Sequence, residues 1–315
     1  MHSIIAYKNG VFKKIGDSEF NSLVRFAIVD FLNPSEADLK AFFDKIGFEN
    51  SNTNFILNKN DLPCIIHKGD FLHIVFGTPL SKDKQVGTLP LTMVLLKGYI
   101  ILIHKEPIRV LSNLLDEIQK DTSRLVKLSI SNIIYQIMAD INDEFISVVD
   151  KLGNDIENIE ERLVKYHEQS DVKRVYTLRK TLLFFKSVLR RNNNVVSTII
   201  REDTLRQFIK DPGNYSVLYG GINQLISVVD FYREMLTEVM QIYEGALANR
   251  LNEIMKYYGA IAALFLWPAT LGTLYGQNFM HLPFAAHPYG FYIMLLIMFS
   301  STVIMFIIFK RKKML

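Results

Sequence analysis

Near the C-terminal end, Asn252, Met255, Gly259, Ala262, Leu266, Ala269, Thr273 and Gln277 recur at spacings of three and four, so they share one face of a helix. The face begins with an amide and is otherwise small, apolar or mildly polar. Two kinds of chemistry suit it. Small residues let helix backbones approach closely in lipid, and in a ring of copies the same face would line a passage; the residues leave both open. Other candidates are weaker. His67, His73 and His104 lie in strand-like runs with no acid at ligand spacing, and read as structural. Cys64 is the only cysteine, so no intrachain disulfide or thiolate cluster can form, and it reads as a small buried residue. Gly10, Gly16, Gly77 and Gly87 fall in no phosphate-cradling pattern, so no nucleotide is expected. The chain does not read as an enzyme, and no resident cofactor is expected.

The elements that must position this face are apolar helices. Residues 257–276 and 288–309 carry no charge, and each matches the roughly 20 residues that cross a bilayer core as a helix. Residues 277–287 join them so tightly that the two spans must run antiparallel. Arg250 and Lys256 precede the first span; Lys310, Arg311, Lys312 and Lys313 follow the second; the loop has no Lys or Arg. The positive-inside rule then places both basic ends in the cytoplasm of a cell (inner) membrane protein, with the loop outside. Residues 1–12 lack the apolar run of a secretory signal, so the C-terminal spans are expected to direct insertion. Net charge is +4, and without the four terminal bases the rest equal the 32 acids, so no nucleic-acid partner is indicated. The tail itself reads as a topological anchor or, in a symmetric oligomer, as a ring of fixed cations at a channel mouth.

Upstream, residues 1–110 read as a cytosolic α/β domain. Strand-like runs occupy residues 3–7, 26–31, 71–76, 91–96 and 99–104, with Gly77, Gly87 and Gly98 as punctuation. Asn33-Pro34-Ser35-Glu36 reads as a helix start with proline in the first turn, leading to Gly47. Residues 111–212 read as antiparallel helices. The first has an apolar seam of Ile133, Ile137, Ile141, Phe145, Val148, Val149, Leu152, Ile156, Ile159 and Leu163. Its other face carries Asp140, Asp143, Glu144, Asp150, Asp155, Glu157, Glu160 and Glu161, read as a solvated face or a metal-sensing one. A basic helix is predicted over residues 172–209, then a break at Asp211-Pro212-Gly213-Asn214. A stalk helix, residues 213–256, runs into the first span, residues 257–276; together they would extend on the order of 90 Å at 1.5 Å per residue. The loop 277–287, the second span 288–309 and the tail 310–315 complete the organisation. The fold class is thus an α+β cytosolic domain with a long helical stalk, followed by a two-helix transmembrane hairpin.

At Tyr275-Gly276-Gln277-Asn278-Phe279 the chain resembles the CorA family of magnesium and divalent-cation transporters, which carries Tyr-Gly-Met-Asn-Phe directly after the first of two C-terminal spans. Asn252-Glu253-Ile254-Met255-Lys256, Pro268, Met280-His281-Leu282-Pro283, Pro288-Tyr289-Gly290 and the basic end at 310–315 resemble the family as well. The resemblance implies a homopentameric funnel whose five first spans line a pore. Tyr275, Gly276, Gln277 and Asn278 would form its external filter, and Asn278 would touch the ion through its hydration shell. The cargo implied is magnesium, with cobalt and nickel as further candidates. Magnesium sheds water reluctantly, so a neutral ring of backbone and amide oxygens can hydrogen-bond to its water shell rather than strip it. Gly276 would let the backbone turn and approach closely. Met255 and Leu266 would be apolar constrictions, and Asn252 a polar ring at the cytosolic mouth.

The chain departs from the family's pattern in three places. Gln277 stands where the family has Met. No acid follows the motif, and His281 and His287 would suit zinc better than magnesium, which keeps a zinc transporter of the same fold as the alternative. Tyr219-Gly220-Gly221 lacks the acid of relatives' intracellular metal sites, so metal feedback would fall to Asp230, Glu234 or the acidic helix. A non-conducting membrane-anchored scaffold is the reading from another class.

Overall fold

Short strands flanked by turn residues, then long capped helices, set the order of elements. A computed structural model describes residues 2–8, 11–15, 26–48, 56, 62–82, 85–96, 98–120, 130–166, 169–210, 212–278, 282–284 and 286–314. The chain forms two compact units, Met1–Glu238 and Val239–Leu315.

The first unit holds one seven-stranded sheet. Its strands are β1 His2–Lys8, β2 Val11–Ile15, β3 Ala27–Leu32, β4 Cys64–Lys68, β5 Phe71–Lys82, β6 Gln85–Leu96 and β7 Tyr99–His104, in the order β2-β1-β3-β7-β6-β5-β4. Only β3 and β7 pair in parallel; the others are antiparallel. The five apolar runs lie within β1, β3, β5, β6 and β7. The two strands that the runs did not reveal, β2 and β4, are the sheet edges. Both are short and carry lysine, a composition that discourages pairing with another chain and hides them from an apolar pattern. Cys64, expected to be buried, is half-buried at the start of edge strand β4.

Two expected breaks are not breaks. Gly77 and Gly87 lie inside β5 and β6, opposite Pro90 and Leu80. A Cβ at Gly77 would run into Val188 of helix α4 (Gln169–Arg201), so glycine there admits the helix. The β4–β5 pairing stops at Cys64↔Val75, one step short of Gly77. Asn192 of α4 takes the place of the missing strand: it accepts from the Gly77 N–H (2.8 Å) and donates to the Gly77 carbonyl (2.9 Å). On the other side Pro90 has no N–H to offer.

Helix α1 (Glu36–Lys45) starts two residues later than the proline suggested. Ser35 is the N-cap and forms a capping box with Asp38, while Pro34 stands before the cap. The helix buries Leu39, Phe42 and Phe43 against Phe31, Val29 and Ile101 of the sheet. After α2 (Arg109–Lys120), the predicted long helix appears as α3 (Ile130–Tyr166), and every residue of its predicted seam is buried. The basic helix α4 ends at Arg201, short of the predicted residue 209. Glu202 is extended, a 3-10 turn follows over Asp203–Gln207, and the Arg206 guanidinium donates to the carbonyls of Ile199 and Ile200 that the helix end leaves open. Helix α5 (Gly213–Tyr275) contains Pro268 without a break in helical assignment. Gly153 of α3 gives room to Tyr232 of α5, whose ring a Cβ would strike.

His104, expected to lack a paired acid, has one from another strand. Its Nε2 lies 2.8 Å from Asp30 of β3, and its Nδ1 lies 2.7 Å from the carbonyl of Glu106. Acceptors at both nitrogens favour the doubly protonated ring. Burial opposes that charge, but the hydrogen bond and charge of Asp30, with the Glu106 carbonyl, outweigh it and raise the pKa above the ordinary histidine value. Its stabilising contribution is therefore complete below about pH 6.5, the unfolded-state value, and is lost as pH rises through the raised folded-state value. Thermal melting across pH 6 to 9 should show that loss in the wild type, and H104Q should flatten it. N192A should lower stability by about 2–4 kcal/mol, because it orphans two buried backbone groups at Gly77; the denaturation midpoint of the full chain measures this.

Candidate functional site

The second unit consists of the end of α5 and helix α6 (Gly290–Arg311). By length and composition both are apolar enough to cross a membrane. Pro288 and Tyr289, placed in the second span by the sequence, precede α6, and Tyr289 is its N-cap.

The two helices touch where the Trp267 indole N–H donates to the Ser301 hydroxyl (3.0 Å) and where Gly272 lies beside Met298. The predicted face lies on the far side of α5. Asn252, Met255, Gly259, Ala262, Leu266, Ala269 and Thr273 are all exposed, with Met255 at 64% and Leu266 at 67%. The hairpin therefore leaves uncovered the stripe that the sequence singled out. The hydroxyls of this region turn their protons inward: Thr270 donates to the Leu266 carbonyl and Thr273 to the Thr270 carbonyl, each at 2.8 Å.

Helix α5 ends at the motif. The Gly276 N–H closes on the Gly272 carbonyl (3.0 Å) and the Gln277 N–H on Leu274 (3.4 Å). Gln277 and Asn278 are exposed beyond the last turn. Phe279, Met280 and His281 lie outside the described residues. Gly276 does not have the left-handed backbone that would demand glycine, and a Cβ there would make only ordinary contacts with the Gly272 and Thr273 carbonyls. The turn within this chain therefore does not account for the glycine.

Contacts that residue spacing does not reveal hold the loop. The Tyr275 hydroxyl donates to the Pro283 carbonyl at 3.0 Å. Phe284 is in the left-handed region (φ 64°), and its carbonyl sits so close to Gly290 that no Cβ fits. That carbonyl accepts from the His287 N–H (3.1 Å), and the His287 carbonyl accepts from the Gly290 N–H (2.9 Å). His287 Nδ1 accepts from the Tyr289 N–H at 3.2 Å, so this lone pair is engaged within the loop. At the other end, Lys310, Arg311, Lys312 and Lys313 are exposed. Lys310 and Arg311 form the last turn of α6, where cations complement the helix dipole.

The suggested regulatory residues lie in the first unit. Asp230 is not an open ligand: one of its oxygens is 2.6 Å from Lys186 Nζ and 2.9 Å from the Arg233 guanidinium. Partial burial would raise its pKa, but these two cations outweigh that and hold it below the ordinary carboxylate range. Glu234 is exposed. On α3, burial raises the pKa of Asp140 and of Glu144, and Asp155 pairs with Arg174 at 2.9 Å. Among the described residues, no three His, Cys, Asp or Glu side chains form a group that could hold a metal ion.

A sheet-based domain, one long helix and two apolar C-terminal helices define an α+β protein that ends in a helical hairpin apolar enough to cross a membrane. Residues 25–311 match the family model described as CorA-like Mg2+ transporter protein, and the chain belongs to that family. The cobalt/magnesium transport protein CorA of Methanocaldococcus jannaschii is 27% identical over 288 residues, covering 91% of this chain and 90% of that protein. The complete structure of the CorA magnesium transporter from the same organism superposes with a TM-score of 0.87 at 26% identity, over 99% of this chain and 98% of the other. The cobalt/magnesium transport protein CorA of Thermotoga maritima is 22% identical over 261 residues, covering 82% and 74% of the two chains.

The Phe284–Gly290 contact yields a prediction. G290A should force the loop carbonyl aside and cost about 1–3 kcal/mol, as overpacking does. The variant's melting midpoint in detergent should fall, while G276A, which meets only ordinary contacts within the chain, should melt nearly as the wild type does.

Proposed function

We infer that the protein is a divalent-cation channel that admits magnesium, with cobalt and nickel as further cargo, down the electrochemical gradient. The observation that carries this reading is the bare face of α5. Asn252, Met255, Gly259, Ala262, Leu266, Ala269 and Thr273 point away from the α6 contacts, and the face runs directly to Gly276, Gln277 and Asn278. A ring of copies would bring these faces together around an axis. The family and its cobalt/magnesium relatives support a homopentamer. The basic flanks support a multi-pass cell inner membrane protein with both termini in the cytoplasm.

In this arrangement Gln277 and Asn278 present amide rings at the outer mouth. Neutral amides can meet the water shell of a magnesium ion without removing it. Met255 and Leu266 form apolar constrictions, Asn252 a polar ring below them, and Lys310–Lys313 a cationic collar. The space that glycine leaves at Gly276 serves the approach of the ion, since the chain's own turn does not require it. Membrane potential supplies about 2.3 kcal/mol per charge per 100 mV, twice that for a divalent ion, so neither nucleotide nor cofactor is required. Cytosolic feedback through Asp230 would compete with the charges of Lys186 and Arg233 on one of its oxygens, whereas Glu234 is exposed.

Purified protein in liposomes tests the reading. Magnesium uptake should follow an imposed inside-negative potential, and N278A should reduce it by at least about tenfold, as expected for a pore polar group facing the ion. Zinc uptake without magnesium uptake would move the assignment to a zinc transporter of the same fold. Equal uptake by N278A and wild type would remove the filter role, and no uptake of any divalent ion would favour the scaffold.

A further inference from the structure

We propose that Thr273, seconded by Thr270, forms an acceptor-only band that reads the hydration shell of the cation just inside the filter. The proposal rests on the pore reading above and adds a specificity role that the motif does not contain.

A divalent ion that keeps its water binds each water through oxygen, so its shell presents protons outward. A wall that stabilises such an ion must offer lone pairs; donors on the wall oppose it. Hydroxyls are ambiguous in this respect, since each is one donor and two acceptors. Here the ambiguity is removed. Thr273 spends its proton on the Thr270 carbonyl and Thr270 spends its own on the Leu266 carbonyl, each at 2.8 Å. What remains on each oxygen is lone pairs.

Both residues are exposed, and Trp267 and Gly272, which flank them in sequence, make the contacts to α6. Thr273 continues the Leu266–Ala269 line, and Thr270, three residues earlier, borders it on the same side. The pair sits between the amide ring of Gln277 and Asn278 and the apolar ring at Leu266. In that stretch of the face only these two side chains carry oxygen; Ala269 offers none. An amide can turn either its carbonyl or its NH2 toward the ion, whereas these hydroxyls are committed as acceptors. The band therefore favours a cation with an intact water shell over species that present acceptors, and it bridges the polar filter to the apolar constriction.

Hydroxyls of apolar helices commonly donate to a preceding carbonyl, so the experiment must separate the oxygen from the shape. Full-length protein is reconstituted in liposomes as T273V, T273A, T273S and N278A, and magnesium uptake is read with an encapsulated indicator. Thermal midpoint and elution volume check assembly. Loss of the acceptor in T273V and T273A should reduce uptake about five- to tenfold, the worth of roughly one hydrogen bond, with assembly unchanged. T273S, which keeps the oxygen, should recover most of the uptake. If T273V and T273A take up magnesium like the wild type while N278A does not, the band is wrong and the pore reading stands. If T273S loses as much as T273V, the methyl and not the oxygen matters, which also overturns the proposal. If N278A too equals the wild type, the pore reading fails and the band fails with it. T273A serves where the bulk of T273V impairs assembly.

Discussion

In an apolar surrounding, every backbone N–H and C=O must find its partner within the protein, and this constraint shapes the described part of the C-terminal hairpin. The helical ladder satisfies most of these groups. Where Pro268 removes one N–H from the ladder, nearby side chains still keep their polar atoms bonded: Thr270 and Thr273 donate to helix carbonyls, and the Trp267 indole finds Ser301. At the tip the ladder ends, and short-range bonds through Tyr275, Phe284, His287 and Gly290 replace it. On the α5 face, the threonine hydroxyls already bond to carbonyls of their own helix, and the small residues there make no demand on packing.

The same rule governs the first unit in another form. The sheet loses a pairing strand where β4 ends, and a single asparagine restores both lost bonds at Gly77. That repair needs close approach, which is why a glycine sits under Val188. Between the helices, charged groups are paired with the same economy. Arg162 grips Asp171 with two bonds, and Asp230 holds Lys186 and Arg233 together. A carboxylate held by two cations is already neutralised, so Asp230, one of the acids suggested by the sequence for metal feedback, is engaged within its own chain.

Much of this was legible from residue type and spacing. The α3 seam could be read because helical periodicity and burial coincide over its whole length. The uncharged spans could be read because a bilayer tolerates so few alternatives. The edge strands β2 and β4 were hidden because short, lysine-bearing strands carry no run of apolar residues. The end of α4 was hidden because Arg206 reaches back in space to finish it. Pro34 misled by two residues because Ser35 caps better than proline begins. The loop anchors were out of reach for a different reason: the partner of Tyr275 is a backbone carbonyl, and the need for Gly290 arises from a phenylalanine in a conformation that this residue type rarely adopts. The candidate residues of α5 were legible as a set, but the direction of the threonine protons was not, since that depends on rotamers.

The charge-free character of the two apolar helices has an electrical consequence. From residue 257 to residue 309 the chain carries no acid and no lysine or arginine. A membrane potential therefore finds no formal side-chain charge to pull within the hairpin. In the proposed channel its work would fall on the crossing ion, since the hairpin offers no acid, lysine or arginine for it to move. Such a hairpin would leave voltage as a driving force rather than a switch, and any opening signal would have to reach it from outside the field.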